Sequence, residues 1–202
     1  QMTSSQALEA GMTWKRSLEL TAEAVRRSGI PAIAMTYCNL LYSAGLEQAM
    51  QQLAQAGVAG LIVPDLTVEE GEPFEQAAAA AGLDLIYLVA PTTPEDRIRL
   101  LAQRSRGFLY MVSVRGVTGE RQELPADLSA QIDKVVERCS IPVLVGFGVS
   151  TPAQARQISA HCHGVIVGSA LLRKLVDQSP SECGAICESY LGSLLGAMLE
   201  NR

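Results

Sequence analysis

Glycine-bearing turns carry the clearest chemistry in this chain. The string VGFGVSTP places Gly146, Phe147 and Gly148 directly after an apolar run and before a capped helix. The string VIVGSALL repeats the arrangement with Gly168 and Ser169, the serine opening a helix. Glycine has no Cβ, so backbone N–H groups can close on an anion, and a helix N-terminus favours negative charge. Either turn alone reads better as a tight turn with no ligand. On two consecutive strands they point to a bound phosphate, which needs no lysine or arginine when N–H groups and a helix end face it. A third segment, YMVSVRGVTGERQELP at 110–125, is long for a strand-to-helix loop and carries Gly116 and Gly119. Those features fit a lid over an active site, and also a plain surface loop.

Other reactive residues signal less. His161, Cys162 and His163 are adjacent, and the chain has only these two histidines. Neighbouring strand residues point to opposite faces and no third ligand is signalled, so no metal is expected. The five cysteines, Cys38, Cys139, Cys162, Cys183 and Cys187, form no C-x-x-C pair and fit reduced thiols better than a disulfide framework. Cys183 and Cys187 lie four apart on an expected helix, which suits packing. Asp65 is the one acid conspicuously at a strand end.

A net charge of -5 over 202 residues offers no basic stripe for a nucleic-acid backbone. No apolar run reaches the length of a membrane span, and the polar start QMTSSQ lacks the features of a signal peptide, so a cytoplasmic location is expected. At 48% hydrophobic and 18% charged residues, a single domain over 1–202 with a sizeable core is the expectation.

The turns need a scaffold, and the chain builds one by repetition of helix, glycine stop and apolar strand. A helix at 15–28, with Leu18, Ala22 and Val25 in one stripe, precedes Gly29 and the strand IPAIAMT. A helix at 46–56, with Leu46, Met50 and Leu53 inward, ends at Gly57 before VAGLIVP. Helices at 68–81, 94–105, 128–139 and 152–160 lead in turn to LDLIYLV, FLYMVS, IPVLVGF and GVIVG. Thr67 with Glu70, Thr93 with Asp96, and Thr151 with Gln154 read as capping boxes, and Pro94 and Pro152 as first-turn prolines. A short helix at 169–176 and a longer one at 182–199 close the chain.

The strands are apolar on both faces with a helix between every pair, so they are expected to be parallel and covered on both sides. That means a βα barrel or a doubly wound sheet, and the strand spacing fits the barrel unit. Six strands are counted, whereas a closed (βα)8 TIM barrel has eight. The chain opens inside a helix, SSQALEAG, with no strand before it. The expectation is a TIM barrel whose first two βα units are absent from this chain, leaving the strands that start at Ile30 and Gly164 unpaired with each other.

RGFLYMVSVRGVTGER, IPVLVGFGVSTPAQA and GVIVGSALL resemble the tryptophan synthase α subunits, and upstream MTYCNLLYSAGLEQ and GLIVPDLTVEE fit the same family. The resemblance runs from Gln1 to the end of the chain. It implies a (βα)8 barrel that cleaves indole-3-glycerol phosphate to indole and glyceraldehyde 3-phosphate by a retro-aldol step, without a cofactor. The partner it implies is a β subunit that receives the indole in an α2β2 assembly. It assigns the substrate phosphate to Gly119, Gly148, Gly168 and Ser169, and the indole pocket to Tyr37, Ile62, Leu88, Tyr110 and Phe147. Thr118, with Tyr110, would support catalysis by positioning a carboxylate when the lid closes, and Asn39 and Asp65 would meet the β subunit. The family's acid–base glutamate and aspartate fall upstream of Gln1, so no catalytic acid is assigned here. The family usually has proline at the position of Thr67. Two further readings stay open: another phosphate-binding barrel enzyme, and a non-catalytic barrel piece that only binds the β subunit.

Overall fold

The computed structural model describes residues 2–112, 127–146 and 148–200. Its Cα packing divides the chain into two compact units, 1–88 with 104–107, and 89–103 with 108–202.

The first unit contains α1 (Met2–Glu9), α2 (Trp14–Ser28), β1 (Ala32–Met35), α3 (Cys38–Ala44), α4 (Leu46–Gln55), β2 (Val58–Ile62), α5 (Glu72–Ala80) and β3 (Asp84–Ile86). Its three strands form one parallel sheet in the order β1-β2-β3, with Met35 level with Ile62 and Ile62 level with Ile86. Leu41, Met50, Leu61, Phe74 and Ile86 are fully enclosed in its core. Leu46, Met50 and Leu53 of α4 turn inward as their spacing requires, and Gly57 closes that helix at φ +80. The stripe Leu18, Ala22 and Val25 on α2 is only half-buried. Not every strand is covered on both faces. β1 ends its sheet, and Ile33 and Met35 stay 38% and 51% exposed.

Two expectations in this unit are corrected. The helix at 68–81 begins at Glu72, and the Thr67 hydroxyl, instead of capping it, donates to Glu70 Oε2 at 2.9 Å. Pro73 is the cause: it has no N–H to give to a carbonyl four residues back, so it fits only the first turn. Residues 83–89 are not one strand. Tyr87 N–H donates to the buried Ser105 hydroxyl at 3.0 Å rather than to a strand neighbour, and the run breaks into β3 and β4 (Leu88–Val89). Among the described residues, seven strands therefore replace the six expected.

Then follow α6 (Glu95–Arg104), β5 (Leu109–Val112), α7 (Leu128–Val136), β6 (Val143–Gly146), α8 (Pro152–Ser159), β7 (Gly164–Ile166), α9 (Ser169–Leu175) and α10 (Pro180–Leu199). The second sheet has the order β4-β5-β6-β7, with β5, β6 and β7 parallel. Its core is built on Leu109, Met111, Leu128, Ile132, Val143, Val145 and Ile158. Thr151 and Gln154 form the capping box expected at α8. Thr93 does not behave as expected, since its hydroxyl accepts from Ala90 N–H at 2.9 Å, upstream of the helix. α7 stops three residues before Cys139 because Arg138 and Cys139 bond back by three residues to Val135 and Val136, tightening the end into a turn. α10 starts at Pro180, two residues before its expected first residue, with a capping box between Ser179 and Glu182.

Candidate functional site

Pairing between β6 and β7 sets the geometry of the two glycine turns. Gly146, the last residue of β6, is level with Ile166, the last of β7. Gly148 and Gly168 each stand two residues further on, so parallel register brings both turns to the same end of the sheet. Gly148 has φ +81, a conformation that a side chain resists. Gly168 is the N-cap of α9 at φ -122 and ψ -86, and no side chain caps that helix. The first N–H groups of a helix find no carbonyl within it, so they are the natural donors to an anion. Gly148, Gly168 and Ser169 are all exposed. At Gly168 an added Cβ would meet nothing within 4 Å, which leaves that approach open.

Downstream of Gly148 the loop is tightly held. Gln154 is 5% exposed, and its Oε1 accepts from Ser150 N–H at 2.9 Å, Thr151 N–H at 3.2 Å and the Ser150 hydroxyl at 3.1 Å. Upstream, Tyr110 of β5 lies across Gly146. A Cβ on Gly146 would overlap the Tyr110 hydroxyl and come within 2.7 Å of its ζ carbon, so the strand must carry glycine there for the ring to fit. Burial pushes the Tyr110 phenol up to about 12, so it is neutral at physiological pH and cannot serve there as a base. The sequence signalled Gly146 only as part of a turn. Its role as the gap that admits Tyr110 depends on a partner 36 positions away.

In the first unit the structure gathers a second set of assigned residues. Tyr37 follows β1 as the N-cap of α3 and is 59% exposed, while Ile62 ends β2 and is 4% exposed. Thr36 N–H donates to Ile62 O at 3.1 Å, which holds these strand ends together. The Asp65 carboxylate accepts from Cys38 N–H at 3.0 Å, tying the turn after β2 to the start of α3, where Asn39 is exposed. Leu88 is half-buried in β4. Thr118, Gly119 and Phe147 lie outside the described residues.

The two histidines serve separate partners. His163 Nδ1 accepts from Val143 N–H at 3.1 Å, and His161 Nδ1 lies 2.9 Å from Asp133 Oδ1. Among the described residues no group of three or more His, Cys, Asp or Glu could hold a metal ion. No described helix is long and apolar enough to cross a membrane.

The family model for the tryptophan synthase alpha chain matches residues 1–190. A tryptophan synthase alpha chain of Prochlorococcus marinus (strain MIT 9313) is 44% identical over 193 residues, covering 93% of this chain and 70% of the relative. One from Dehalococcoides mccartyi is 45% identical over 181 residues, covering 90% of this chain and 71% of the relative. Among solved structures, a chain of the tryptophan synthase α2β2 complex of Pyrococcus furiosus, described for its mutual activation, superposes with a TM-score of 0.84. It is 32% identical, and the match covers 94% of this chain and 77% of that one.

Proposed function

This chain belongs to the tryptophan synthase alpha chain family, and on that premise we propose that its two glycine turns hold the phosphate of indole-3-glycerol phosphate. The fold is the α/β class with parallel strands, that of the TIM-barrel alpha subunits it superposes on. The reaction is that of a lyase in tryptophan biosynthesis: indole-3-glycerol phosphate is cleaved to indole and glyceraldehyde 3-phosphate, and the α subunit works with a β subunit in an α2β2 complex. Because the family match runs unbroken across 1–190, we read residues 1–202 as part of one barrel domain acting in the cytoplasm.

The observation that carries the phosphate reading is the register of Gly146 with Ile166, by which the turn at Gly148 and the uncapped start of α9 leave the same end of adjacent strands. Gly148, Gly168 and Ser169 then supply donors to one dianion, joined by Gly119 from the 110–125 segment. Holding the phosphate there anchors the glycerol chain, and the resemblance assigns the indole to Tyr110, Ile62, Leu88, Tyr37 and Phe147. The bond between the indole carbon and the glycerol carbon breaks as the indole carbon gains a proton and the glycerol hydroxyl loses one. The resemblance assigns those transfers to carboxylates outside 1–202, with Thr118 positioning one of them. Asn39 and Asp65, exposed beside each other's loops, face the β subunit in this reading.

The test is titration of the full-length protein, assembled with its β subunit, with a non-cleavable indole alkyl phosphate. Gly148→Leu should fill the approach path and abolish measurable binding. Ser169→Ala should cost about 1 kcal/mol, roughly fivefold in Kd, through one lost hydrogen bond. Unchanged affinity in the Gly148 variant would reduce the turns to structure and sink the reading.

A further inference from the structure

Tyr190 sits in α10, a helix to which the reaction gives no role. It is 8% exposed, and its hydroxyl donates to the backbone carbonyl of Ser150 at 2.9 Å. Ser150 lies two residues past Gly148, and its own N–H and hydroxyl are already engaged by Gln154 Oε1. Both backbone polar groups of Ser150 are therefore fixed, one from α8 and one from α10. The opposite arm of the candidate phosphate site reaches the same ring. Lys174, in the last turn of the α9 that Gly168 and Ser169 begin, places Nζ 5.0 Å from the Tyr190 ring centroid. One buried side chain thus touches the loop that follows β6 and the helix that follows β7. We propose that Tyr190 is a positioning residue for phosphate binding: it holds the Gly148 turn and α9 in fixed relation, so that both can present N–H groups to the same phosphate.

This rests on the phosphate reading of the two turns and adds the element that keeps them set. Donors that must converge on one small anion lose much of their value when their spacing drifts by an ångström, so the effect should be selective for the phosphate end of the ligand. Burial raises the Tyr190 phenol above its ordinary range, which keeps the hydroxyl a donor throughout the working pH range.

The experiment compares wild type, Tyr190→Phe and Gly148→Leu in the full-length α subunit assembled with its β subunit. Two probes are titrated: a non-cleavable indole alkyl phosphate and the same molecule lacking its phosphate. Tyr190→Phe keeps the ring and the contact with Lys174, and removes only the bond to Ser150. It should weaken the phosphate probe about five- to tenfold while the dephosphorylated probe binds as to wild type, and the kinetic loss should fall on KM more than on kcat. Tyr190→Leu should weaken the phosphate probe further, and if that variant fails to fold the phenylalanine variant decides alone. Equal losses for both probes, or unchanged affinity for the phosphate probe, would overturn the role given to Tyr190. If Gly148→Leu also binds the phosphate probe normally, the phosphate reading itself falls. If only Tyr190→Phe binds it normally, the positioning role alone falls.

Discussion

Asp65 and Cys38 show how a residue's environment decides what it can do. The Asp65 side chain is exposed and accepts the N–H that opens α3, a use suited to loop positioning. Burial, and then the neighbouring Asp65 carboxylate, push the Cys38 thiol up to about 11. At pH 8 only about one Cys38 in a thousand is then a thiolate, so it should alkylate slowly with iodoacetamide. Asp65→Asn removes the negative charge that opposes thiolate formation, so the Cys38 value should fall and alkylation at pH 8 should speed up severalfold. Burial remains the larger cause, so the value should stay above that of an ordinary thiol. Peptide-level mass spectrometry across pH 8–10 would read the rate. No acceleration in the asparagine variant would mean that Asp65 does not act on Cys38 as a charged neighbour.

At the scale of elements, the start of α5 depends on a polar cluster within the first unit. Tyr87 donates to Glu75 Oε1 at 2.5 Å, Arg104 Nε donates to the same oxygen at 2.7 Å, and Arg104 also reaches Val68 O at 2.6 Å. The cluster ties α5, β3's outgoing end and the 67–71 turn together, the turn that follows Asp65. Gly71 makes room for it. A Cβ there would overlap the Tyr87 hydroxyl and lie 3.0 Å from its ζ carbon, although the φ of -72 suits any residue. Gly71→Ala should therefore destabilise by about 1–3 kcal/mol, an overpacking cost with no backbone strain in it. In a Tyr87→Phe background the overlapping hydroxyl is gone while the ζ carbon stays 3.0 Å away, so the same change should cost clearly less than in wild type. Urea unfolding of the four proteins closes the cycle. An equal cost in both backgrounds would show that Gly71 is required for some reason other than the hydroxyl.

For the 202 residues as a whole, the exposed apolar residues in and just before β1 matter most. Ile30, Ile33 and Met35 are 68%, 38% and 51% exposed, and among the described residues β1 has β2 as its one strand neighbour. An open strand edge beside apolar side chains is a template for pairing with another chain. A 202-residue polypeptide prepared by itself should therefore sediment as more than a monomer at micromolar concentration, and the double change Ile33→Lys with Met35→Lys should shift it toward monomer. A wild-type polypeptide that sediments wholly as monomer would show that this edge is not sticky in solution.

Local signals were legible wherever a short stretch of chain sufficed. Glycine at the left-handed positions 29, 57, 82 and 107 marked helix ends from sequence, and each has positive φ. The capping box at Thr151 and Gln154 formed because both its partners lie within one turn. The repeated helix-and-strand pattern determined the parallel α/β class, since strands apolar on both faces need cover on both sides. In two places where the same kind of local signal failed, a residue outside the motif had intervened. Thr67 and Glu70 bond to each other but start no helix, because Pro73 moves the first turn downstream. The run at 83–89 has the composition of one strand, yet it breaks where Ser105 captures the N–H of Tyr87, 18 positions away. Only tertiary structure could pair Tyr110 with Gly146, or bring Tyr190 to Ser150 across 40 positions. The sequence by itself determined most of the helices and strands and which turns could hold an anion, because those follow from backbone conformation and periodicity within a few residues. Which side chains clamp the turns depends on packing between elements far apart in the chain, and no local pattern encodes it.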